Sequence, residues 1–342
     1  MVKIHLFVAF AFLAMAQVFA SPVAPGLNGT LGLGKCTHKL QRRSWQTLSN
    51  TEKKAYIDAE LCLMWHLPAK SGLTAAVSRF DDLIKAHQNQ SSLVHGDGWF
   101  LPFHRLMMHA HERLLRQECG YTGAQPYWDE EADAGRFSRS EIFDAEFGFG
   151  GDGTGRGGCV ETGPFANYTL HTGPGYSNTE HCLIRKINDS ISEGTGAGPV
   201  DECLAMETFA EMWPCLENVP HSSGHTAVGG EMQNPISSPG GRSFPVKNLG
   251  MHFSQDYADE SRSDPLFYLH HTWLDRVWWR WQQRDPRARL RDIAGYTTQA
   301  RPASGWVTAT LDDELNMFGI IPNARIRDVM DSGSDLLCVE YV

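Results

Sequence analysis

The chain has 342 residues, and 40 acidic against 30 basic side chains give it a formal net charge of −10. This charge disfavours nucleic acid and anionic membranes as partners, because both repel an acidic protein. The sequence shows no internal repeat and no linker of domain size, so we predict a single domain over residues 21–342. We expect neither a C-terminal lid domain nor an obligate protein partner.

The N-terminus has the pattern of a secretory signal. Lys3 precedes an apolar run over residues 6–16, and Val18-Phe19-Ala20 offers a small-residue cleavage site. The apolar run is too short for a membrane-spanning helix. We therefore predict that residues 1–20 are a signal peptide and that the mature protein is secreted to the extracellular space.

The cysteines and the glycosylation sequons agree with a secretory route. Eight cysteines in a secreted chain are typical of disulfide bonds, although their pairing does not follow from the sequence. Four Asn-x-Ser/Thr sequons are predicted sites of N-glycosylation. They begin at Asn28, Asn89, Asn167 and Asn188.

Apolar periodicity and capping signals predict a mainly α-helical fold with long loops and a few short strands. Pro265 suits the first turn of the last long helix, where a missing N–H costs nothing, and Asp264 is placed to cap that helix. The tail ends in a strand-like run, Leu336–Val339. The predicted helices cover residues 49–65, 72–86, 102–119, 202–216 and 265–281.

Several histidines have the spacing of metal ligands. His221 and His225 are four residues apart, so on a helix both rings lie on one face and can bind one metal ion. The HExxH motif of zinc proteases has the same spacing, but position 222 is Ser here and the general base of such a protease is missing. A zinc hydrolase is therefore a remote alternative.

A second group of histidines can meet only if the chain turns between them. On one continuous helix His95 and His104 would lie half a turn apart, because nine residues separate them. Gly96 and Gly98 place His95 in a loop instead. His104 then lies in the first turn of the next helix, and His87 at the end of the preceding helix can join it.

The pair His270-His271 adds a further histidine to His221 and His225. Asp275 lies four residues after His271 and within reach of its ring, and a carboxylate is a usual partner of a metal-binding imidazole. Each group then offers three imidazoles. Such a donor set suits copper better than a hard cation, and zinc stays an alternative.

Three segments resemble the two copper-binding signatures of the tyrosinase and catechol oxidase family of type-3 copper proteins: HGDGWFLPFHR, HSSGHTAVGGEM and DPLFYLHHTWLDRVWWRW. The segments AYIDAELCL and ECGYTGAQPYWD are similar to secreted fungal members of this family. The resemblance implies a four-helix bundle core that holds a dinuclear site of two copper ions. It implies O2 as co-substrate and small phenols as substrates, with o-diphenols oxidised to o-quinones, while hydroxylation of monophenols stays open.

The resemblance also implies roles for individual residues. It selects His271 rather than His270, which becomes a supporting neighbour, and it places Phe267 as an aromatic gate over the second copper ion. Ser222 and Thr226, each directly after a ligand, fall at positions that tune monophenol against diphenol activity. The implied ligands are His87, His95 and His104 for the first copper ion, and His221, His225 and His271 for the second.

The chain departs from the family pattern at two positions. Leu93 stands where many fungal members have a cysteine that is cross-linked to the middle ligand of the first site. Ser222 stands where tyrosinases often have an asparagine that helps to hold a water, which weakens the prediction of monophenol hydroxylation. Glu211 and Glu217 are both candidates for the glutamate that holds this water.

A rival interpretation is a reversible O2 carrier of the hemocyanin kind, which uses the same metal site. The prediction of a single secreted domain without a covering domain counts against a carrier, because a carrier must exclude phenols. Six further histidines are expected to have structural or surface roles. They are His66, His109, His111, His171, His181 and His252.

Overall fold

The computed structural model describes residues 35–173, 176–232 and 263–342. The predicted signal peptide, Asn28 and His252 lie outside the described residues. Within those ranges the chain is mainly helical, with long loops and a few short strands, which confirms the predicted fold class.

Three long helices, over Asn50–Leu61, Phe100–Glu118 and Leu266–Arg284, are joined by shorter helices and loops. A π-helix continues the first of them over Cys62–His66, and a second π-helix, Glu217–His221, leads into the helix Ser222–Val228. The α-helices are α1 (Asn50–Leu61), α2 (Arg79–Gln88), α3 (Phe100–Glu118), α4 (Glu130–Asp133), α5 (Asp189–Ser192), α6 (Ala197–Ala205), α7 (Phe209–Leu216), α8 (Ser222–Val228), α9 (Leu266–Arg284), α10 (Pro286–Arg289) and α11 (Ile326–Val329).

The strands are short and form two-stranded pairs. The parallel pair joins β1 (Leu40–Arg42) to β8 (Val339–Tyr341). The predicted strand at Leu336–Val339 therefore begins later than expected, at Val339. The antiparallel pairs are β2 (Gly153–Thr154) with β3 (Cys159–Val160), β4 (Thr169–Leu170) with β5 (His181–Cys182), and β6 (Glu314–Leu315) with β7 (Ala324–Arg325).

The start predicted for helix α1 is confirmed, whereas the start predicted for helix α2 is wrong. At α1 the Ser49 hydroxyl accepts the N–H of Glu52 while the Glu52 carboxylate accepts the N–H of Ser49, a reciprocal capping box. The second helix was predicted from Gly72, but Gly72 and Ala75 have φ of 74° and 68°. A right-handed helix cannot pass through such residues. Helix α2 begins instead after Ser78, which caps it.

The helix predicted over residues 202–216 is in fact two helices, α6 and α7. Met206 has an extended conformation, with φ −61° and ψ 139°, and ends α6. Thr208 and Glu211 form a capping box that starts α7. The apolar periodicity continues through this break, so the sequence pattern alone did not reveal it.

All eight cysteines are paired, which confirms the prediction of disulfide bonds. The bond with the largest sequence separation, 302 residues, links the segment before β1 to the segment before β8. The four bonds are Cys36–Cys338, Cys62–Cys119, Cys159–Cys182 and Cys203–Cys215.

A buried ionic network connects α3, α9 and the β1–β8 pair. Nε of Arg105 on α3 donates to Oδ1 of Asp275 on α9 over 2.5 Å, and the guanidinium lies 3.8 Å from the ring centroid of Trp278. Arg42 on β1 donates to Glu112 over 2.8 Å and to the hydroxyl of Tyr341 over 2.9 Å. These buried charges therefore have partners, as burial requires.

No helix in residues 35–173, 176–232 and 263–342 has both the length and the apolar character needed to cross a bilayer.

We predict that Arg42→Met strongly destabilises the protein, because it leaves the Glu112 carboxylate buried without its cation. Removing one partner of a buried pair lowers the free energy of unfolding by about 3–5 kcal/mol. Lys54→Met removes an exposed ion pair with Asp58 on α1. We expect that control to change the free energy of unfolding by less than about 0.5 kcal/mol in urea denaturation. Equal losses in the two variants would contradict the prediction.

The effect of Arg42→Met should shrink in acid. Burial raises the pKa of Glu112, but the charge and hydrogen bond of Arg42, together with the N–H of Gln125 and the nearby His109, lower that pKa further than burial raises it. A carboxylate with a lowered folded pKa stabilises the protein fully above its unfolded pKa of about 4.3. This stabilisation is lost as the pH falls through the lower folded value, so denaturation at pH 7 and at acidic pH would measure the change.

Candidate metal centre

The structure brings the predicted histidines into two buried groups. Within each group, one ring nitrogen of every member lies within 4.8 Å of those of the others. The first group consists of His87, His95 and His104. The second group consists of His221, His225, His270 and His271.

Helical backbone positions five of the six predicted ligands, and a loop positions the sixth. His87 lies in the last turn of α2 and His104 in the second turn of α3, while the other three lie on α9, α8 and the π-helix before α8. His95 lies between a 3₁₀ turn and α3. Gly96 follows it with φ 65°, a left-handed conformation that glycine adopts without strain and that turns the chain toward α3.

Backbone carbonyl groups orient four of these imidazoles. Because a carbonyl oxygen only accepts, the bonded Nδ1 atom carries the proton and the Nε2 atom keeps its lone pair. In three of the four rings the acceptor belongs to the residue four positions earlier. The Nδ1–O distances are 2.7 Å for His104, 2.9 Å for His95 and His225, and 3.1 Å for His221.

The Nε2 atoms converge at distances that fit a metal ion. Those of His87 and His104 are 3.3 Å apart, and those of His225 and His271 are 3.1 Å apart. Two nitrogens that bind one ion at about 2.0 Å in tetrahedral geometry are separated by about 3.3 Å. The lone pairs of His104 and His225 therefore face another ring nitrogen across a gap of the size that a shared cation requires.

Burial favours the neutral form of His271 in the second group. It lowers the pKa of His271 well below the ordinary histidine value, and the nearby rings of His104 and His270 lower it further. A neutral imidazole is the protonation state that binds a metal. A set of neutral imidazoles fits copper in particular, which accepts nitrogen donors readily.

The two groups lie directly against each other. The rings of His104 and His271 stack with centroids 4.2 Å apart and planes 10° apart. The rings of His95 and His221 also face each other, at 5.9 Å. The arrangement suits two metal ions that act on one small molecule.

Two phenylalanines pack against the rings of the groups. Phe267, predicted as a gate, is fully buried, with its ring centroid 4.3 Å from that of His271 and 5.2 Å from that of His87. Phe100 was not among the predicted site residues, although its ring lies 4.9 Å from His104. It precedes His104 by four residues, as Phe267 precedes His271, so this repeated spacing could have identified it.

Asp275 does not orient His271, so that prediction is wrong. The carboxylate accepts hydrogen bonds from Arg105 over 2.5 Å and from the Tyr341 hydroxyl, and it lies 3.5 Å from Nη1 of Arg42. Charge-assisted bonds to a guanidinium are stronger than a bond to a neutral imidazole, which explains the choice. Nδ1 of His271 has no hydrogen-bond partner among the residues that the structure describes.

His270 forms a hydrogen bond with Glu130. The distance from Nδ1 of His270 to Oε1 of Glu130 is 2.6 Å, both side chains are fully buried, and the His270 ring lies edge-on to His225 at 4.2 Å. Burial raises the pKa of Glu130 well above its usual value, and Asp133 and Asp129 add to the rise. No sequence signal linked Glu130 to a histidine 140 residues away.

The structure distinguishes between the two candidate glutamates. Glu217 is buried, and its Oε1 accepts the N–H of Gly96 over 2.8 Å. Glu211 is exposed and caps α7. Ser222 and Thr226 are partly exposed on α8, and the Ser222 hydroxyl donates to the carbonyl of Glu217 over 2.9 Å.

The other described histidines lie outside both groups. His111 is buried, with Nε2 2.9 Å from Glu60 and Nδ1 2.8 Å from Oε1 of Gln125. His171 and His181 lie beside carboxylates, His66 is exposed, and His109 is partly buried.

We predict that Gly224→Ala destabilises the protein by displacing the Glu130–His270 pair. A Cβ atom at position 224 would lie 2.5 Å from both Oε2 of Glu130 and Cε1 of His270. Overpacking of this kind costs about 1–3 kcal/mol. The matched control is Gly198→Ala on α6, where a Cβ atom would meet nothing within 4 Å. Thermal unfolding should show a lower melting temperature for Gly224→Ala and an equal or higher one for the control, and equal losses would contradict the prediction.

Known proteins resemble the chain in sequence and in structure. Residues 77–284 match the family model of the common central domain of tyrosinase. Tyrosinase-like protein phomQ1' of Diaporthe leptostromiformis is 32% identical, in an alignment that covers 98% of this chain and 87% of that protein. Tyrosinase ustQ of Aspergillus flavus is 30% identical, in an alignment that covers 92% of this chain and 83% of that protein. A polyphenol oxidase variant from Thermothelomyces thermophila superposes with a TM-score of 0.73 at 28% identity, over 89% of each chain.

The family match covers residues 77–284, which include all six predicted ligands. The similarity to the curated relatives extends over nearly the whole chain. The chain therefore belongs to the tyrosinase family, is a copper oxidoreductase, and has a fold that implies a dinuclear copper centre.

Proposed function

We propose that this protein is a phenol oxidase that uses two copper ions and O2 to oxidise o-diphenols to o-quinones. The observation that supports this proposal most directly is the contact between two buried histidine groups, with His104 stacked on His271. A small phenol bound at that contact would lie next to both groups. The substrate would be a small phenolic compound rather than a macromolecule.

In this proposal each copper ion has three imidazole ligands. His270 also lies in the second group, but the resemblance to the family selects His271 rather than His270, so we assign His270 as a neighbour of the ligands. The first ion would be bound by His87, His95 and His104, and the second by His221, His225 and His271.

The bound metal pair would supply the transfer of four electrons from two catechols to O2, which yields two o-quinones and two water molecules. The chain would bind and orient the phenol. Phe100 and Phe267 offer apolar ring faces beside the histidines, against which an aromatic substrate can pack. The buried setting of both groups would limit the access of water.

Hydroxylation of a monophenol would also require a group that removes the phenolic proton. The carboxylate of Glu217 is buried, and its Oε1 accepts the N–H of Gly96, next to His95. The backbone carbonyl group of Glu217 orients His221. Ser222 donates its hydroxyl to that same carbonyl group, and it offers no side-chain amide that would hold a water next to Glu217. We therefore propose that diphenol oxidation exceeds monophenol hydroxylation.

We also propose that the protein is secreted and N-glycosylated. The signal-like sequence over residues 1–20, the four disulfide bonds and the exposure of Asn89, Asn167 and Asn188 support this. Mass spectrometry of protein from the culture medium would test it. Absence from the medium, or an intact residue 1, would contradict secretion through signal cleavage.

We predict that the copper-loaded chain binds two copper ions and oxidises catechols. His271→Ala should retain one copper ion per chain and lose diphenol oxidation, because the second group keeps too few donors. His66→Ala is the matched control, since His66 is exposed and lies outside both groups. Metal analysis and quinone formation would be measured for all three proteins.

Two results would contradict this assignment. Zinc alone at about one ion per chain would favour the hydrolase alternative. Two copper ions with reversible O2 binding and no quinone from any diphenol would favour the O2 carrier.

We predict that Ser222→Asn raises the rate of monophenol hydroxylation relative to diphenol oxidation several-fold. The asparagine amide would offer the donor and acceptor that a water beside Glu217 needs, whereas Ser222 is bound to a backbone carbonyl group. Ser222→Ala serves as the matched control, because it removes the same hydroxyl bond to the Glu217 carbonyl without adding an amide. Steady-state assays with tyramine and a matched catechol would give the ratio, and an unchanged ratio in Ser222→Asn would contradict the proposed role of position 222.

A further inference from the structure

We propose that a hairpin formed by residues 294–309 positions His95, and that Gln299 is the residue through which it acts. This inference rests on the proposed binding of copper by His95. The hairpin follows α9 in sequence and lies against the loop that connects α2 to α3. Gln299 is a positioning residue, because it contacts the backbone of a ligand and not the metal.

His95 needs support from outside its own segment. The other five proposed ligands belong to helices, whose backbone hydrogen bonds hold each residue in place. His95 lies in a loop, with Gly96 and Gly98 close behind it, and glycines leave a backbone with many accessible conformations. Leu93 is 42% exposed and cannot form a covalent link to the imidazole.

Two hydrogen bonds join the hairpin to this loop. Nε2 of Gln299 donates to the backbone carbonyl of His95 over 2.8 Å. The backbone N–H of Gly98 donates to the carbonyl of Tyr296 over 2.9 Å. The hairpin therefore holds both the ligand residue itself and the position three residues later.

Close packing prevents the loop from sliding against the hairpin. A Cβ atom on Gly98 would lie 2.5 Å from the carbonyl oxygen of Ala294 and 2.9 Å from Cβ of Ala309. A Cβ atom on Gly295 would lie 2.8 Å from Cα of Gly98. Contacts this tight fix the loop in one position, because no side chain fits between the two backbones.

Contacts between its two arms stabilise the hairpin itself. The N–H of Thr297 donates to the carbonyl of Val307 over 3.0 Å, and that of Ala309 donates to the carbonyl of Gly295 over 2.9 Å. The rings of Tyr296 and Trp306 stack across it with centroids 4.2 Å apart. A braced hairpin can hold a neighbouring loop, whereas a flexible one would move with it.

Gln299 completes a set of contacts that surround His95. The imidazole Nδ1 is bound to the carbonyl of Ser91, and the next N–H, that of Gly96, is bound to Glu217. The bond from Gln299 holds the remaining side, the carbonyl of His95 itself. Loss of this bond should make the position of His95 less fixed. The second group has no part in this bond and should keep its geometry.

The experiment compares copper loss from variants of the full copper-loaded chain during dialysis against a chelator. Gln299→Met keeps the length of the side chain and removes its donor, and Gln299→Lys keeps a donor. Gln299 is exposed, so neither change opens the core. Arg301→Met, exposed on the same hairpin, is the matched control.

We expect Gln299→Met to lose one copper ion per chain about fivefold faster than the unmodified protein. This is the change in rate that corresponds to the loss of about 1 kcal/mol, the usual contribution of one neutral hydrogen bond. The ion bound by the second group should leave at the same rate as in the unmodified protein. While only that ion is bound, the electron paramagnetic resonance signal of an isolated Cu(II) ion should appear. Gln299→Lys and Arg301→Met should behave like the unmodified protein. The melting temperature of all variants before dialysis should stay the same.

Three outcomes would overturn the inference. One is equal copper loss in Gln299→Met and the unmodified chain, and another is parallel loss of both ions in Gln299→Met. The third is loss from Gln299→Lys as fast as from Gln299→Met, because the donor would then not matter. An unmodified chain that binds no copper would overturn the proposed ligands as well, so the two failures can be told apart.

Discussion

The ion pair between Arg105 and Asp275 sets how α3 and α9 lie against each other. Arg105 directly follows His104, and Asp275 lies one helical turn after His271. The same register that joins the two charges therefore stacks the two imidazoles at 4.2 Å. A slip of one turn, about 5.4 Å, would separate the rings and leave both charges buried without partners. The geometry of the candidate site is thus a consequence of charge pairing in the core behind it.

Local signals in the sequence predicted what local physics determines. Capping residues located the start of α1, and a spacing of four residues identified His221 and His225 as a pair. The glycines between His95 and His104 indicated the first group of histidines, the resemblance to a known family implied the same three ligands, and the structure brings all of them together. The start of α2 was missed because the left-handed conformation of Ala75 has no counterpart in apolar periodicity.

Tertiary partners could not be predicted in the same way. Asp275 was assigned to His271 on helical spacing, but the choice depends on which cations the opposing elements present, and Arg105 lies 170 residues away in sequence. Glu130 and Gln299 contact their histidine partners across 140 and 204 residues. Such contacts follow no sequence period. Phe100 differs, because its four-residue spacing to His104 repeats that of Phe267 to His271 and was available in the sequence.

The bond between Cys36 and Cys338 closes the chain into a covalent ring of nearly its whole length. A single proteolytic cut anywhere between these cysteines opens the ring without releasing a fragment, because each product retains one end of the bond. The glycine-rich turn between β2 and β3 is exposed and is a natural place for such a cut. A nicked molecule of this kind would migrate as one chain under non-reducing conditions and as two after reduction. Its histidine groups, which lie away from that turn in sequence, would stay tethered within one molecule.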